Sequence, residues 1–406
     1  MAKLCLYFQL HQPYRLRPFS VFELNRGLDY FALGSEQHDD NAAIFRKVAQ
    51  KSYLPMLSLL LELVTIHPSF CFALSCSGVF LEQARAYQPE VIGLIQRLVD
   101  TDQVEILAES YYHSLASLYS PAEFAEQVKL HTALVEELFH FTPTVFRNTE
   151  LIYANFIAEQ VEQLGFAGML TEAVDRYLGG RPRTQVFRSY TGKPLPLLLK
   201  HAQLSDDVAF RFSNKNWEEH PLTSEKYVHW LNNYYPEEYI NLFMDFETFG
   251  EHQWEDTGIF EFFRHFVGRA LHFDHHFVTP ASVLEPLANH PKTLDSLPVY
   301  DVPDPISWAD IDRDLTAWRG NSLQHDALRL VYSIEADVIK SGDRELLRDW
   351  RRVQTSDHFY YMCVKWSADG DVHKYFSPYD SPFEAYNRFS AVMVDLQDRV
   401  RLGKSK

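Results

Sequence analysis

Asp245 and Glu247 follow an apolar run (240–244) in the stretch NLFMDFETFGEHQW (241–254). A run of this length closed by Gly250 reads as a buried strand, and charge at the end of such a strand needs a chemical reason. Glu150, in FRNTELIY (146–153), closes another apolar run in the same way. If both strands belong to one barrel, the two carboxyls reach the same rim. Two carboxylates across a sugar ring suffice for glycoside hydrolysis, one ionised as nucleophile or base and the other protonated as acid. Taken singly, each also fits a cap or an ion-pair partner.

Other residues join this pair as candidates. His11, in HQP (11–13), directly follows the first apolar run; a loop histidine there binds a hydroxyl or a metal, or is structural. In VEILAESYYHSL (104–115), Glu105, Glu109 and His113 are spaced i, i+4, i+8, which suits either one solvated helical face or a strand turning into a loop. HFDHH (272–276) groups His272, His275 and His276, but no carboxylate other than Asp274 stands at a metal-site spacing, so a structural role is the better reading. Further on, Trp318, Asn321, Asp357, His358 and Tyr360 are of the types that wall a sugar site by stacking and hydrogen bonding.

The elements that must position these residues are legible as short β-rich runs: 4–10, 70–78, 104–108, 145–153, 166–171, 208–213, 240–247 and 277–281. Helical spacing fills 43–64, 121–139 and 153–164 between them. Strands alternating with helices predict a parallel α/β fold, and seven or eight units in fewer than 300 residues predict a closed or nearly closed barrel whose strand ends carry the reactive groups. Polar residues do close most of the runs, although some, such as Ser120 before Pro121, are helix caps. LPVYDVPDP (297–305) reads as a linker or an extended crossing segment, and 323–339, 344–356 and 382–402 read as helices. The expected division is therefore a barrel over 1–295 and a helical subdomain over 296–406.

Composition narrows the partners. A net charge of −17 on 406 residues repels nucleic-acid phosphates and anionic lipid, which favours neutral substrates. Cys5, Cys71, Cys76 and Cys363 form neither a disulfide framework nor a CxxC zinc motif. The N-terminal run is short and lacks a cleavage site, and no stretch approaches membrane-spanning length. A cytoplasmic protein is expected, and nothing in the sequence specifies an oligomeric state.

Read in order, HQP (11–13), VEILAESYYHSL (104–115), FRNTELIY (146–153), MDFETFGEH (244–252) and WRGN (318–321) resemble the five signature regions of glycoside hydrolase family 57. LSDDVAFRFS (204–213) and QTSDHFYYM (354–362) extend the likeness to its α-amylase branch, over essentially the whole chain. The resemblance implies an incomplete (β/α)7 barrel (TIM-barrel-like) followed by a C-terminal helical bundle, α-glucan substrates and retention of anomeric configuration. It implies Glu150 as nucleophile and Asp245 as general acid/base, with His11, Glu105 and Asp357 in substrate contact. His113, Glu247, His252 and Trp318 are added as substrate-binding candidates. This chemistry needs no metal or cofactor.

Two departures bear on the activity. Transferase and branching members usually carry Trp three residues before the nucleophile, where this chain has Arg147, and often an aromatic seven residues after the acid/base, where it has His252. Loss of those stacking faces leans the expectation toward hydrolysis of α-1,4 bonds in glycogen, starch or maltodextrins. 4-α-Glucanotransferase or branching activity, and noncatalytic glucan binding, are the alternatives. Ala173, where many α-amylase-branch members have Gly, has no evident consequence.

Overall fold

The computed structural model describes residues 1–19, 21–31, 40–309, 312–365 and 377–403. Among them are strands β1 (Lys3–Leu10), β2 (Phe72–Cys76), β3 (Val104–Leu107), β4 (Val145–Arg147), β5 (Gly168–Thr171), β6 (Phe187–Ser189), β7 (Pro196–Leu199), β8 (Tyr239–Asp245), β9 (His276–Phe277) and β10 (Val299–Tyr300). One sheet has the order β3-β2-β1-β8, with β9 also on β1, and the other has the order β10-β6-β7-β5-β4. All pairings are parallel except β6 with β7.

Parallel neighbours need a crossover, and helices supply it. Leu54–Ile66 lies between β1 and β2, Pro121–Phe139 between β3 and β4, and Asn155–Gln163 between β4 and β5. Ser120 caps the second of these, its Oγ accepting from the Glu123 N–H at 3.2 Å, with Pro121 in the first turn. The sheets meet at two places. Ala108, just past β3, bridges Phe146 of β4. On the other flank the His201 N–H donates to the Asn241 carbonyl at 2.8 Å, and the Asn241 amide donates back to the Leu199 carbonyl at 2.8 Å.

Strand parity decides which side chains face inward. In β1, Leu4, Leu6, Phe8 and Leu10 join the core under the helices, whereas Cys5 and Tyr7 face an inner cluster with Leu107, Val145, Leu170, Leu198 and Phe243. Phe8 meets Phe72, Phe246, Phe249 and Phe263 edge-on at 5.7–6.1 Å, and burying such a ring stabilises the fold by about 2–3 kcal/mol. In β8, Ile240, Leu242 and Met244 take the outer side and Phe243 the inner. The same alternation turns Asp245, paired in register with Gln9, inward at the end of its strand. A second large core surrounds Trp318, Trp350, Phe359 and Phe389, where the helices Ser322–Ser333, Arg344–Arg352 and Pro382–Gly403 pack.

One expectation needs correction. Residues 208–213 are not a strand: helix Ala202–Ala209 runs into a turn there. Val208 and Phe212, four apart, are buried while Phe210 between them is 57% exposed, so the apparent alternation is the end of a helical face. The second sheet instead uses β6 and β7, which lie outside the runs read as strands. The 297–305 segment is the extended one of its two expected forms, since it contains β10, paired with β6. No helix among the described residues is long and apolar enough to cross a membrane.

The turn after β8 depends on Gly250. Its φ is +105°, and a Cβ there would lie 1.9 Å from the Lys51 carbonyl oxygen. Gly258 also has positive φ, at +82°, but open space around it. Gly250→Ala is therefore expected to cost about 2–4 kcal/mol and Gly258→Ala only about 1 kcal/mol, measured by urea denaturation; equal midpoints for the two variants would contradict this account of the turn.

Candidate active site

At the C-terminal ends of the parallel strands lies a cleft of about 560 Å³, the usual location of ligand sites in such folds. His11, His113, Glu150, Asp245, Glu247, His252 and Asp357 all line it. The sequence places these residues up to 346 positions apart; the shared strand direction brings them together.

Glu150 sits in the 3-10 turn Thr149–Leu151, just past β4, at φ 55° and ψ 27°, and Leu151 also has positive φ. Non-glycine residues occupy this left-handed region at a cost of about 1–3 kcal/mol, which surrounding contacts must offset. Here the Leu151 N–H donates to the Asn148 carbonyl at 3.0 Å and the Trp308 N–H to the Glu150 carbonyl at 3.2 Å. The turn aims the carboxylate at two donors. His113 Nε2 is 3.3 Å from Oε1, and the Trp308 indole N–H donates to Oε2 at 2.8 Å. Burial pushes the Glu150 pKa up, but the hydrogen bond and charge of His113, with Arg147 and Trp308, outweigh it and leave the group below the ordinary glutamate value.

His113 links this carboxylate to a deeper one. Its Nδ1 lies 3.0 Å from Oε2 of Glu109, which is fully buried and also accepts from Ser75 Oγ at 2.6 Å and Gln9 Nε2 at 3.1 Å. Burial opposes charge on the imidazole, yet hydrogen bonds to Glu109 and Glu150 raise its pKa to about 9. With a carboxylate on each nitrogen, both nitrogens carry protons. The ring stacks on His11 at 4.0 Å. His11 is pushed the other way by burial and by the charge of His113, so it is neutral near pH 7. Its Nδ1 is 2.7 Å from Ser77 Oγ and its Nε2 2.9 Å from Asp357 Oδ2.

Asp245 has a different environment. Burial first, and then the negative charge of Glu150, raise its pKa to about 6, with Arg147 and Lys200 opposing. The same two influences, burial and a neighbouring charge from Asp245, lift Glu247 to about 8. Glu247 accepts from the Tyr53 hydroxyl at 2.5 Å; Tyr53 closes a π-helical segment, Ala49–Tyr53, an irregularity common near functional sites. Burial lowers His252 to about 4, leaving a neutral ring. The cleft thus holds carboxyls biased toward ionisation, Glu150 and Asp357, and carboxyls biased toward protonation, Asp245 and Glu247, the two kinds that acid/base and nucleophilic work on a glycosidic bond requires.

Two sequence candidates lie elsewhere. Glu105 faces inward from β3, but near the strand's start, away from the cleft; its Oε2 accepts the Ala281 N–H at 2.8 Å, at the N-terminus of helix Pro280–Ala288. Its spacing to Glu109 and His113 reflects a strand running into a loop, not a helical face. Trp318 is 1% exposed and packs on Tyr360 at 6.0 Å in the helical core, so Ala317 and Tyr360 line the cleft in its place. The HFDHH histidines are apart from the cleft: His275 pairs with Asn232 at 3.0 Å and His276 is exposed on β9.

Sequence reasoning missed Trp308. It follows the segment read as a linker, which is tied down where Ile306 bridges Tyr153. The Trp308 ring lies 5.3 Å from the Arg147 guanidinium and 5.0 Å from Lys200 Nζ, and Arg313 reaches its carbonyl as well as Asp206 and Glu172. An aromatic closing a Pro-rich segment was the one available signal.

Comparison with known proteins identifies the family. The model for Glycosyl hydrolase family 57 matches residues 5–298. A Methanocaldococcus jannaschii protein named "Putative alpha-amylase" is 37% identical over 411 residues, covering 98% of this chain and 85% of that one. In fold the chain is similar to a GH57 branching enzyme from Thermococcus kodakaraensis, with a TM-score of 0.68 at 14% identity over 98% of this chain and 90% of that one. It is also similar to 4-alpha-glucanotransferase from Thermococcus litoralis, with a TM-score of 0.62 at 14% identity over 88% of this chain, but it spans only 56% of that enzyme. The chain belongs to glycosyl hydrolase family 57 and is a glycoside hydrolase.

Proposed function

We propose that the protein cleaves α-1,4-glucosidic bonds of glycogen, starch or maltodextrins by a retaining double displacement. The observation that carries this reading is the opposed electrostatic bias of Glu150 and Asp245 in one cleft. Glu150 attacks the anomeric carbon while Asp245 protonates the departing oxygen; in the second step Asp245 takes a proton from water, whose oxygen bonds to the anomeric carbon as the bond to Glu150 breaks. His11, Asp357, Glu247 and His252 hold sugar hydroxyls in this scheme, and His113 and Trp308 hold the nucleophile. The strands β1, β2, β3, β4, β5, β7 and β8 serve as an incomplete (β/α)7 barrel over 1–295, with 296–406 as the helical subdomain that supplies Asp357 and Tyr360. The four cysteines are free, which suits the cytoplasm, the compartment we assign.

Transfer to a sugar acceptor is the second reading. Arg147 is fully buried and offers an acceptor no stacking face, which favours hydrolysis, but Trp308 brings another aromatic into the cleft lining. Products from maltoheptaose discriminate. Hydrolysis yields shorter oligosaccharides with matching new reducing ends, whereas transfer yields longer and shorter chains with no net gain. Glu150→Gln should lose at least about 10³-fold in turnover while still binding glucan, and equal turnover in variant and wild type would refute the assignment.

The pH profile follows from the two carboxyls. Cleavage needs Asp245 protonated, so kcat/KM falls as pH rises through about 6. It also needs Glu150 ionised, so activity falls on the acid side only below the ordinary glutamate value of 4.5. A profile flat from pH 5 to 8 would contradict the role given to Asp245.

A further inference from the structure

Glu109 has no exposed surface and does not line the cleft, so substrate does not touch it. Even so, it is surrounded as if its charge mattered. Ser75 and Gln9 donate to one oxygen, while His113 Nδ1 at 3.0 Å and Arg147 Nη1 at 3.7 Å face the other. Arg147 is equally buried; its Nε and Nη2 have no hydrogen-bond partner among the described residues, and its guanidinium lies against the rings of Trp308 and Tyr7 at 5.3 and 5.9 Å. Glu109, His113, Arg147 and Glu150 together make a charge quartet that sums to zero.

The quartet is unstable to loss of Glu109. Arg147 Nη1 is 3.5 Å from His113 Nδ1, and two cationic donors at that distance repel unless a carboxylate lies between them. We propose that Glu109 is a positioning residue: its carboxylate, braced by Arg147, Gln9 and Ser75, holds a proton on each nitrogen of His113 and so keeps the Nε2–H directed at Glu150. The inference rests on the reading of Glu150 as nucleophile. The raised titration of His113 agrees with the geometry.

The charged and titratable groups around His113 are Glu109 on its own segment, Arg147 at the end of β4, Glu150 just past it, His11 after β1, Asp245 at the end of β8, and Asp357 on the helix Ser356–Tyr360. Among the described residues only Glu109 faces Nδ1 as an acceptor. Arg147 opposes the imidazolium, and Asp357 is engaged by His11.

The test is Glu109→Gln, nearly isosteric, with two readouts: the imidazole NMR titration of His113, and kcat and KM on maltoheptaose across pH. In the wild type His113 should titrate near 9; in the variant it should titrate below neutrality, kcat should fall about tenfold with KM within about twofold, and the acid limb should move to higher pH. Unchanged His113 titration, or a uniform loss at every pH with the acid limb unmoved, overturns the proposal. Should the variant not fold, the wild-type titration decides alone: a ring charged through pH 8 supports the proposal, and titration near 6.5 overturns it. Wild-type protein inert on glucans would remove the functional reading, while the His113 titration would still report on Glu109.

Discussion

A carboxylate taken out of water costs several kcal/mol unless opposite charge and hydrogen bonds replace the solvent, and the run of Glu109, His113 and Glu150 meets that constraint with separations of 3.0 and 3.3 Å. Much of the surrounding structure serves it. Tilting His113 and Glu150 toward each other uses left-handed backbone at both residues, with φ of 49° and 55°. Strand parity brings Gln9 and Ser75 to the same point from β1 and β2, and the segment after β10 delivers Trp308 to the other oxygen of Glu150.

Asp245 shows what happens without that support. It stands on the same rim, but it titrates upward under burial and the field of Glu150, and Glu247 beyond it goes further in the same direction. Two carboxyls on one rim are thus biased in opposite directions, because among the described residues donors converge on Glu150 and not on Asp245. This difference in environment is the basis for assigning a nucleophile and an acid to the pair.

The features legible in the sequence were those carried by long local patterns. β1 and β8 are continuous apolar runs, the helix Pro121–Phe139 announces itself with Ser120 and Pro121, and the motif carboxylates fall at strand ends, so their convergence followed from the parallel α/β expectation. Short strands were not legible: β7 is four residues starting at a proline, and its pairing is set by β5, not by its own pattern. Val208 and Phe212 show the converse error, where the end of a helical face imitates alternation. Within the site, Glu105 and Trp318 were misjudged because depth along a strand and burial behind a neighbour have no signature in spacing. Trp308 and the Glu109–Arg147 contact depend on contacts between distant segments, which one sequence does not display.

The central claim is that Glu150, held ionised by His113 and Trp308, forms a covalent bond to the sugar. It is tested most directly by incubating an Asp245→Asn variant with α-maltosyl fluoride, whose leaving group needs no acid, and mapping the protein by peptide mass spectrometry. Removal of the base that activates water should let the glycosyl-enzyme accumulate, with the maltosyl mass on the peptide containing Glu150. An adduct on Glu247 or another carboxylate, or turnover to the inverted anomer with no adduct, would contradict the account.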